Sequence, residues 1–406
     1  MSGIKDYAPV AGSSTIEELH LLAERLRGKT IQNINSTAVG GGVAEILSRM
    51  LPLLHDLGVD VSWDVIKGNE KFFNLTKKIH NALHGVAETF KPGDLDYLVE
   101  VNRQNAKDVL RGADITFVHD PQPIALVEEK RSRGGQWIWR CHIDFTNPQS
   151  DVWDFLRPFI ESYQAAVFSA PAFSRPLAIR QVLISPSIDP LSDKNREIPD
   201  DLVDSICARF GIDRKRPIVA QISRFDYLKD PVGVIRAYKI VKSHVDCQLV
   251  LAGGGATDDP EGAQVLAEVK HEAAGDPDIF VLFLPPGSDI EINALQRAAD
   301  VVLQKSLKEG FGLTVAEALW KAKPVIASAV GGIPLQIAHK YSGILSHSIE
   351  GTAYYIKQLL NAPQYAQGLG KNGREHIKNN FLITRHIQEY LLLFLSLYEQ
   401  EDIIRL

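Results

Sequence analysis

Cysteine is scarce in this chain of 406 residues: Cys141, Cys207 and Cys247 are the only three, scattered and never in a Cys-x-x-Cys pair. An odd, dispersed set excludes a disulfide framework and a cysteine zinc site, and it points to a reducing compartment. A basic excess is missing too. Lys and Arg number 44 against 50 Asp and Glu, a formal net charge of -6, so no broad cationic field exists to wrap a nucleic-acid backbone. A local cationic pocket stays open. Long hydrophobic runs are absent: the most apolar late stretch, "YLLLFLSLY" (residues 390–398), is too short to cross a bilayer and follows a helical pattern of packing residues. The N-terminus, "MSGIKDYAPVAGSSTIEELHLL", has no apolar core after a basic start. The expectation is a cytoplasmic protein with neither nucleic-acid nor membrane partners.

Several chemical signatures are lacking as well. There is no Gly-x-x-x-x-Gly-Lys-Ser/Thr loop and no Gly-x-Ser-x-Gly elbow. "AVGGGVAE" fails the dinucleotide fingerprint, because Ala44 or Glu45 stands where the last glycine belongs, and this disfavours a dehydrogenase. No metal constellation is visible. "DLD" at Asp94 and Asp96 lies in a polar, helical segment away from any strand end and reads as structural.

What is present is ordinary globular chemistry, 45% hydrophobic and 23% charged, in a chain too long for one core. Two domains follow. "KTIQNINS", "ADITFVHD", "QWIWRCHID" and "AAVFSA" read as strands in the first half, with "VAEILSRMLPLLHDLG" as an amphipathic helix. Proline, serine and charge dominate residues 183–199, which is linker chemistry. A second series then begins, with strands in "RPIVAQIS", "CQLVLAGGG", "IFVLFLPP", "DVVLQKS" and "PVIASAV" and helices between them. Three helical patterns end the chain. Alternation of this kind predicts an α/β fold with two Rossmann-like domains, each a parallel sheet covered by helices.

Ligands in such sheets bind beyond the carboxyl ends of the strands. The conspicuous residues fall there: Gly40, Gly41 and Gly42, then His119, His142 and Asp144 in the first half. Arg224, Lys229, Gly253, Gly254 and Gly255, Pro285 and Pro286, Glu309 to Thr314, Gly331 and Gly332 do so in the second. Two domains that face each other would line one cleft with all of them. Each has a plainer reading. The first glycine run serves as a strand-to-helix turn or as an amide cradle. His119 and His142 are buried, satisfied strand-end histidines or site residues. Arg224 and Lys229 either pair with Asp226 and Asp230 or bind a diphosphate. The acidic Asp258, Asp259 and Glu261 mark a solvated loop.

The loop "SLKEGFGLTVAEALW" (residues 306–320) sets Glu309 before and Glu317 after a glycine-bracketed turn. Thr314-x-x-Glu317 reads as a capping box, which alone would explain Glu317. The amides of Gly312, Leu313 and Thr314 would then point out of a positively polarised helix start, towards an anion. Carboxylates accept from sugar hydroxyls. Two of them flanking an anion site suit a ligand with phosphate in its middle and hydroxyls at both ends, the layout of a sugar nucleotide.

Glu309-x7-Glu317 in "EGFGLTVAEALW", together with "SRFDYLKDP", "GGIPLQI" and "INALQRAADVVLQKS", resembles the retaining GT-B-type glycosyltransferases of family 4. "STAVGGGVAEIL", "KKIHNALHG", "VHDPQP", "WIWRCHIDFTNPQ" and "DDPEG" narrow the resemblance to the trehalose glycosyltransferring synthases, with retaining trehalose phosphorylases as near relatives. It covers nearly the whole chain. The resemblance implies a GT-B fold with an acceptor domain over 1–183, a nucleotide-sugar donor domain over 184–380 and a helix over 381–406 returning to the first. It implies a retaining glucosyltransferase that makes α,α-trehalose reversibly from nucleoside-diphosphate glucose and glucose; a homodimer is one open expectation for its assembly. No tightly bound cofactor and no strict metal requirement follow. The alternatives are a trehalose phosphorylase using glucose 1-phosphate and a silent sugar-nucleotide-binding subunit.

By the same resemblance, Glu309 holds donor-sugar hydroxyls and Glu317 the ribose. Arg224 and Lys229, helped by Gly310, Phe311, Gly312, Leu313 and Thr314, hold the leaving diphosphate. His119 lies beside the donor sugar, Gly41 and Gly42 approach the phosphate, and His142 and Asp144 lie on the acceptor side. The chain departs from the family after "GGIPLQI", where "AHKYSGIL" brings in Lys340.

Overall fold

A computed structural model describes residues 2–39, 42–254 and 262–398. The chain divides into two compact units, one comprising Met1–Ser187 with Ile383–Leu406 and the other Ile188–Leu382.

The first unit is built on a six-stranded sheet, all parallel, in the order β2-β1-β3-β4-β5-β6. Its strands are β1 (Thr30–Asn35), β2 (Asp60–Val65), β3 (Ile115–His119), β4 (Gln136–Cys141), β5 (Ala165–Phe168) and β6 (Arg180–Leu183). The inner strands read as continuous apolar runs because helices cover both faces: Phe117, Trp137, Ile138, Trp139 and Val167 are fully buried. Helix α1 (Ser13–Glu24) precedes the sheet, α2 (Gly42–Asp56) follows β1, and α3 (Asp94–Val109) leads into β3. Asp94 and Asp96 lie in the first turn of α3, where a negative charge suits the helix dipole, and Asp94 accepts a 2.8 Å bond from the Lys91 amide.

The second unit repeats the plan. Strands β7 (Ile218–Ile222), β8 (Gln248–Gly253), β9 (Ile279–Phe283), β10 (Val301–Gln304), β11 (Val325–Ser328) and β12 (Ile344–Ser346) form a parallel sheet in the order β12-β11-β10-β7-β8-β9. Val219, Leu249, Leu251, Val301 and Leu303 pack with Val234, Tyr238 and Val241 of α4 (Pro231–Lys242) into one core. Helix α5 (Asp289–Ala298) precedes β10, and α6 (Leu313–Trp320) follows it. The last helix among the described residues, α7 (Ile383–Ser396), belongs to the first unit. It buries Ile387, Tyr390, Leu391 and Phe394, sets the rings of Tyr390 and Phe394 against Phe117, and donates a 2.7 Å bond from Gln388 to Glu18 of α1.

Three strands lie outside the apolar runs that the sequence displays. β2 and β6 are half-exposed strands at the two edges of their sheet, and β12 is a three-residue edge strand. The segment read as a linker is no loose tether: Ser192 and Asn195 are buried, and Asn195 accepts from Lys321 at 2.9 Å.

Candidate functional site

Each sheet has one point where the chain order reverses, between β1 and β3 in the first and between β7 and β10 in the second. Adjacent crossovers leave opposite faces there, so a crevice opens at the carboxyl ends. The sequence places its densest polar chemistry at both.

In the second unit, the loop after β7 carries Arg224 and Lys229, and the loop after β10 carries Ser306 and Glu309. Lys229 Nζ donates to Glu309 Oε2 at 2.7 Å, and Ser306 Oγ (3.2 Å) and Gln304 Nε2 (3.4 Å) donate to the same oxygen. Oε1 accepts no bond among the described residues. Glu309 is buried, and the Lys229 side chain is 17% exposed, enough for its ammonium to meet a second anion. The backbone of Lys229 is itself fixed, because Gln221 of β7 donates to its carbonyl at 3.0 Å and accepts from the Lys305 amide at 2.9 Å. Arg224 pairs with buried Asp226 at 3.3 Å and keeps 38% of its side chain exposed. The plainer pairing of Lys229 with Asp230 does not occur. Asp230, in the left-handed region at φ 45°, caps α4 through the Gly233 amide and pairs with Lys305.

Helix α6 starts directly beyond this pair. Gly312 stands at its N-cap with φ 86°, a conformation that side chains resist, and a Cβ there would meet the Glu309 side chain at 3.3 Å. Gly332 lies so close to the Gly310 carbonyl that a Cβ would come within 2.6 Å of it, and Gln336 donates to the Phe311 carbonyl at 2.5 Å. The loop over residues 309–312 is thus held from both sides, and the first-turn amides of Leu313 and Thr314 have no intrahelical acceptor by helix geometry.

The expected capping box is not formed. The cap is Gly312, two residues earlier than supposed, and Thr314 Oγ1 instead donates to Gln304 Oε1 at 2.9 Å. Glu317 is buried beneath the helix. Its Oε2 accepts from Gln296 of α5 at 3.3 Å, and its Oε1 lies 3.7 Å from Lys194. Lys321, one turn on, donates to the Glu317 carbonyl at 3.2 Å, and burial pushes its ammonium down to about 7.

In the first unit, His119 ends β3 and His142 follows β4. The rings stack with centroids 5.5 Å apart, and His119 Nδ1 lies 3.2 Å from His142 Nε2. His119 Nε2 is 3.2 Å from Asn33 Oδ1 of β1, across the reversal point. His119 is buried with both ring nitrogens within reach of a partner, whereas His142 is partly exposed. Burial lowers His119 to about 3, with the Arg140 charge adding to it, and drives His142 down for the same reasons. Asp144 is buried, with Oδ1 accepting from the amide and hydroxyl of Thr146. Gly42 opens α2 on the surface; Gly40, Gly41, Gly255 and the acidic Asp258, Asp259 and Glu261 lie outside the described residues. Lys340, the family departure, adopts φ 65° in an exposed turn.

Sequence reasoning passed over Asp120, Arg140 and Asn33. Asp120 has φ 65°, its Oδ1 accepts the His142 amide at 2.7 Å, and burial raises its carboxyl to about 7. It was legible as the neighbour of His119 in "VHDPQP". Arg140 and Asn33 sit inside strands, where a polar residue carries no positional signal. Lys305 and Gln304 were likewise hidden at the end of an apolar run. Among the described residues no group of His, Cys, Asp and Glu could hold a metal ion, and no helix is long and apolar enough to cross a membrane.

The "Trehalose synthase, N-terminal domain" family matches residues 33–175, and the "Glycosyl transferases group 1" family matches residues 204–376. The trehalose synthase of Rubrobacter xylanophilus is 45% identical over 404 residues, covering 97% of each chain. A trehalose phosphorylase of Pleurotus pulmonarius is 28% identical over 398 residues, covering 84% of this chain and 54% of the longer relative. In structure, the sucrose-phosphate synthase of Thermosynechococcus elongatus superposes with a TM-score of 0.69 at 18% identity, over 91% of this chain and 99% of its own. That likeness assigns the GT-B fold. The chain belongs to the trehalose synthase family and is a glycosyltransferase.

Proposed function

We propose that this trehalose-forming glycosyltransferase moves glucose from a nucleoside-diphosphate glucose onto the anomeric hydroxyl of glucose, retaining the α configuration and working in both directions. The observation that carries the reading is the Lys229–Glu309 pair, 2.7 Å apart, at the reversal point of the second sheet and next to the start of α6. Lys229 and Arg224, with the amides of Gly310 to Thr314, meet the diphosphate. As the glycosidic C–O bond breaks, charge builds on the leaving oxygen, and preorganised donors stabilise it. Glu309, with Oε1 turned away from its three intramolecular donors, accepts from the sugar hydroxyls. Phe311 packs the loop, and Glu317 fixes the ribose end from beneath α6.

The reading assigns His119 to the donor sugar as a catalytic residue, His142 and Asp144 to the acceptor side, and Gly41 and Gly42 to the phosphate and acceptor. The acceptor hydroxyl attacks the face from which the diphosphate departs and loses its proton to the departing phosphate oxygen. A two-carboxylate pair of the hydrolase kind is then unnecessary. No tightly bound cofactor is invoked, and Lys229 and Arg224 supply the charge that a metal would otherwise bring. The nucleotide-sugar donor is supported by the trehalose-6-phosphate synthase fold-relative from E. coli, described as bound with UDP-2-fluoro glucose. A donor screen tests the assignment: glucose plus ADP-, UDP- or GDP-glucose should give trehalose and the free diphosphate. Trehalose formed only from glucose 1-phosphate would favour the phosphorylase reading. No transfer and no donor hydrolysis would favour a silent binding subunit.

A further inference from the structure

Arg140 lies on β4 opposite His119 of β3 and is completely buried. Its Nη2 donates to the Ile184 carbonyl at 2.9 Å, its guanidinium lies 5.3 Å from the Tyr390 ring of α7, and its Nε lies 3.4 Å from His142 Nδ1. A guanidinium nitrogen only donates, so His142 Nδ1 must offer its lone pair, and the His142 proton sits on Nε2. His142 Nε2–H then donates to His119 Nδ1, which places the His119 proton on Nε2, facing Asn33 Oδ1. The far end requires the same direction independently. Asn33 Nδ2 donates to the Ser62 carbonyl at 3.4 Å, which leaves Oδ1 as the acceptor and His119 Nε2 as the donor. Four groups on three adjacent strands therefore form one chain of donors running a single way.

We propose that Arg140 is a positioning residue that fixes this polarity, so that His142 and His119 are both held neutral with the proton on Nε2. Nothing in the chain is left to accept an added proton: each imidazole already has its lone pair occupied. Protonating His142 would turn Nδ1 into a donor aimed at Arg140, and protonating His119 would turn Nδ1 into a donor aimed at the His142 Nε2 proton. The titratable groups around the chain are Asp120 after β3, Cys141 at the end of β4 and Asp144 beyond it, and Arg385, His386, Glu389 and Tyr390 of α7. Asp120 is tied to the His142 amide and Glu389 pairs with Arg385, so neither carboxylate bonds either imidazole. The consequence for chemistry rests on the proposed glucosyl transfer. A neutral pair of imidazoles avoids adding further positive charge to that of Arg140 near an oxocarbenium-like sugar, which an imidazolium would oppose.

The test uses the full chain labelled with ¹⁵N at histidine, with His119 and His142 assigned by substitution. Long-range proton–nitrogen spectra should show both rings as the neutral form protonated on Nε2, unchanged from about pH 5 to pH 8. A proton on Nδ1 of either ring, or titration of either within that range, overturns the proposal whatever the enzyme does. In Arg140→Met, folding checked by circular dichroism, His142 should lose its single form and titrate. The turnover should fall about tenfold, the worth of one charge-assisted hydrogen bond, with a new acid limb in the kcat profile and the donor KM nearly unchanged. Arg140→Met with unaltered histidine spectra overturns the assignment. If that variant does not fold, the wild-type spectra decide. A fixed polarity without any transfer activity would instead count against the proposed function alone.

Discussion

At the residue scale Lys229 is the pivot of the site. Two carboxylates stand within reach in sequence, Asp226 and Asp230, yet its ammonium meets Glu309, 80 residues on. Folding brings that partner in because β7 and β10 are neighbours, so the pair forms only when the sheet closes at its reversal point. Replacing Lys229 by alanine removes a cation from the diphosphate and leaves Glu309 buried without its counter-charge. The expected outcome is a loss of roughly 10²- to 10³-fold in kcat in the donor assay. Near-normal turnover would contradict the diphosphate assignment. Glu309 itself was legible in the sequence, since no capping rule explains a carboxylate before the glycine turn. Glu317 was misread as a cap because Thr314 had a stronger partner, Gln304, which only the tertiary structure brings within 2.9 Å.

Elements were legible where burial on both faces left an unbroken apolar run. β3, β5, β7, β8 and β10 are buried throughout and stood out in the sequence; the half-exposed β2 and β6 and the short β12 did not. An edge strand packs on fewer neighbours, so its composition is less constrained. The last helix shows a different limit. Its apolar stripe announced a buried helix, and the resemblance implied the return to the first domain, but nothing local indicated that Tyr390 would cover Arg140 or that His386 would be buried against Ser187, 2.9 Å away. Helix α6 marks the third case: its start was placed by a side-chain rule, whereas the backbone conformation of Gly312 sets it.

At the scale of the molecule, buried ionisable groups fix how stability responds to pH. His119, His142 and His386 are all held below the ordinary histidine range, by burial first and the Arg140 charge second. Between about pH 4 and pH 6.5 the unfolded chain binds protons at these three rings that the folded chain refuses, so stability rises with pH. Asp120 opposes them, since its raised carboxyl keeps a proton up to about 7 in the folded state and loses it near 3.8 when unfolded. Glu389, raised by burial, joins Asp120, and His339, lowered by burial, joins the other histidines, so four groups against two leave a net rise. Asp278, held low by hydrogen bonds from Arg216 and Lys242, works in the same direction below pH 4, and Lys321 extends it above neutrality, because its folded ammonium deprotonates near 7 and its unfolded one near 10.5. Urea midpoints at constant ionic strength should therefore climb from pH 5 to pH 7, and less steeply in His386→Gln. Midpoints that are flat or falling over that range would refute this balance.

The central claim is transfer of glucose between a nucleoside diphosphate and glucose with retention. Supplying the protein with nucleoside-diphosphate glucose carrying ¹³C at the anomeric carbon, plus unlabelled glucose, and reading the product by carbon NMR addresses it directly. The expected product is α,α-trehalose labelled in one ring, with an α-configured anomeric signal and one equivalent of free nucleoside diphosphate. A β-configured product, or label appearing only as free glucose, would contradict it.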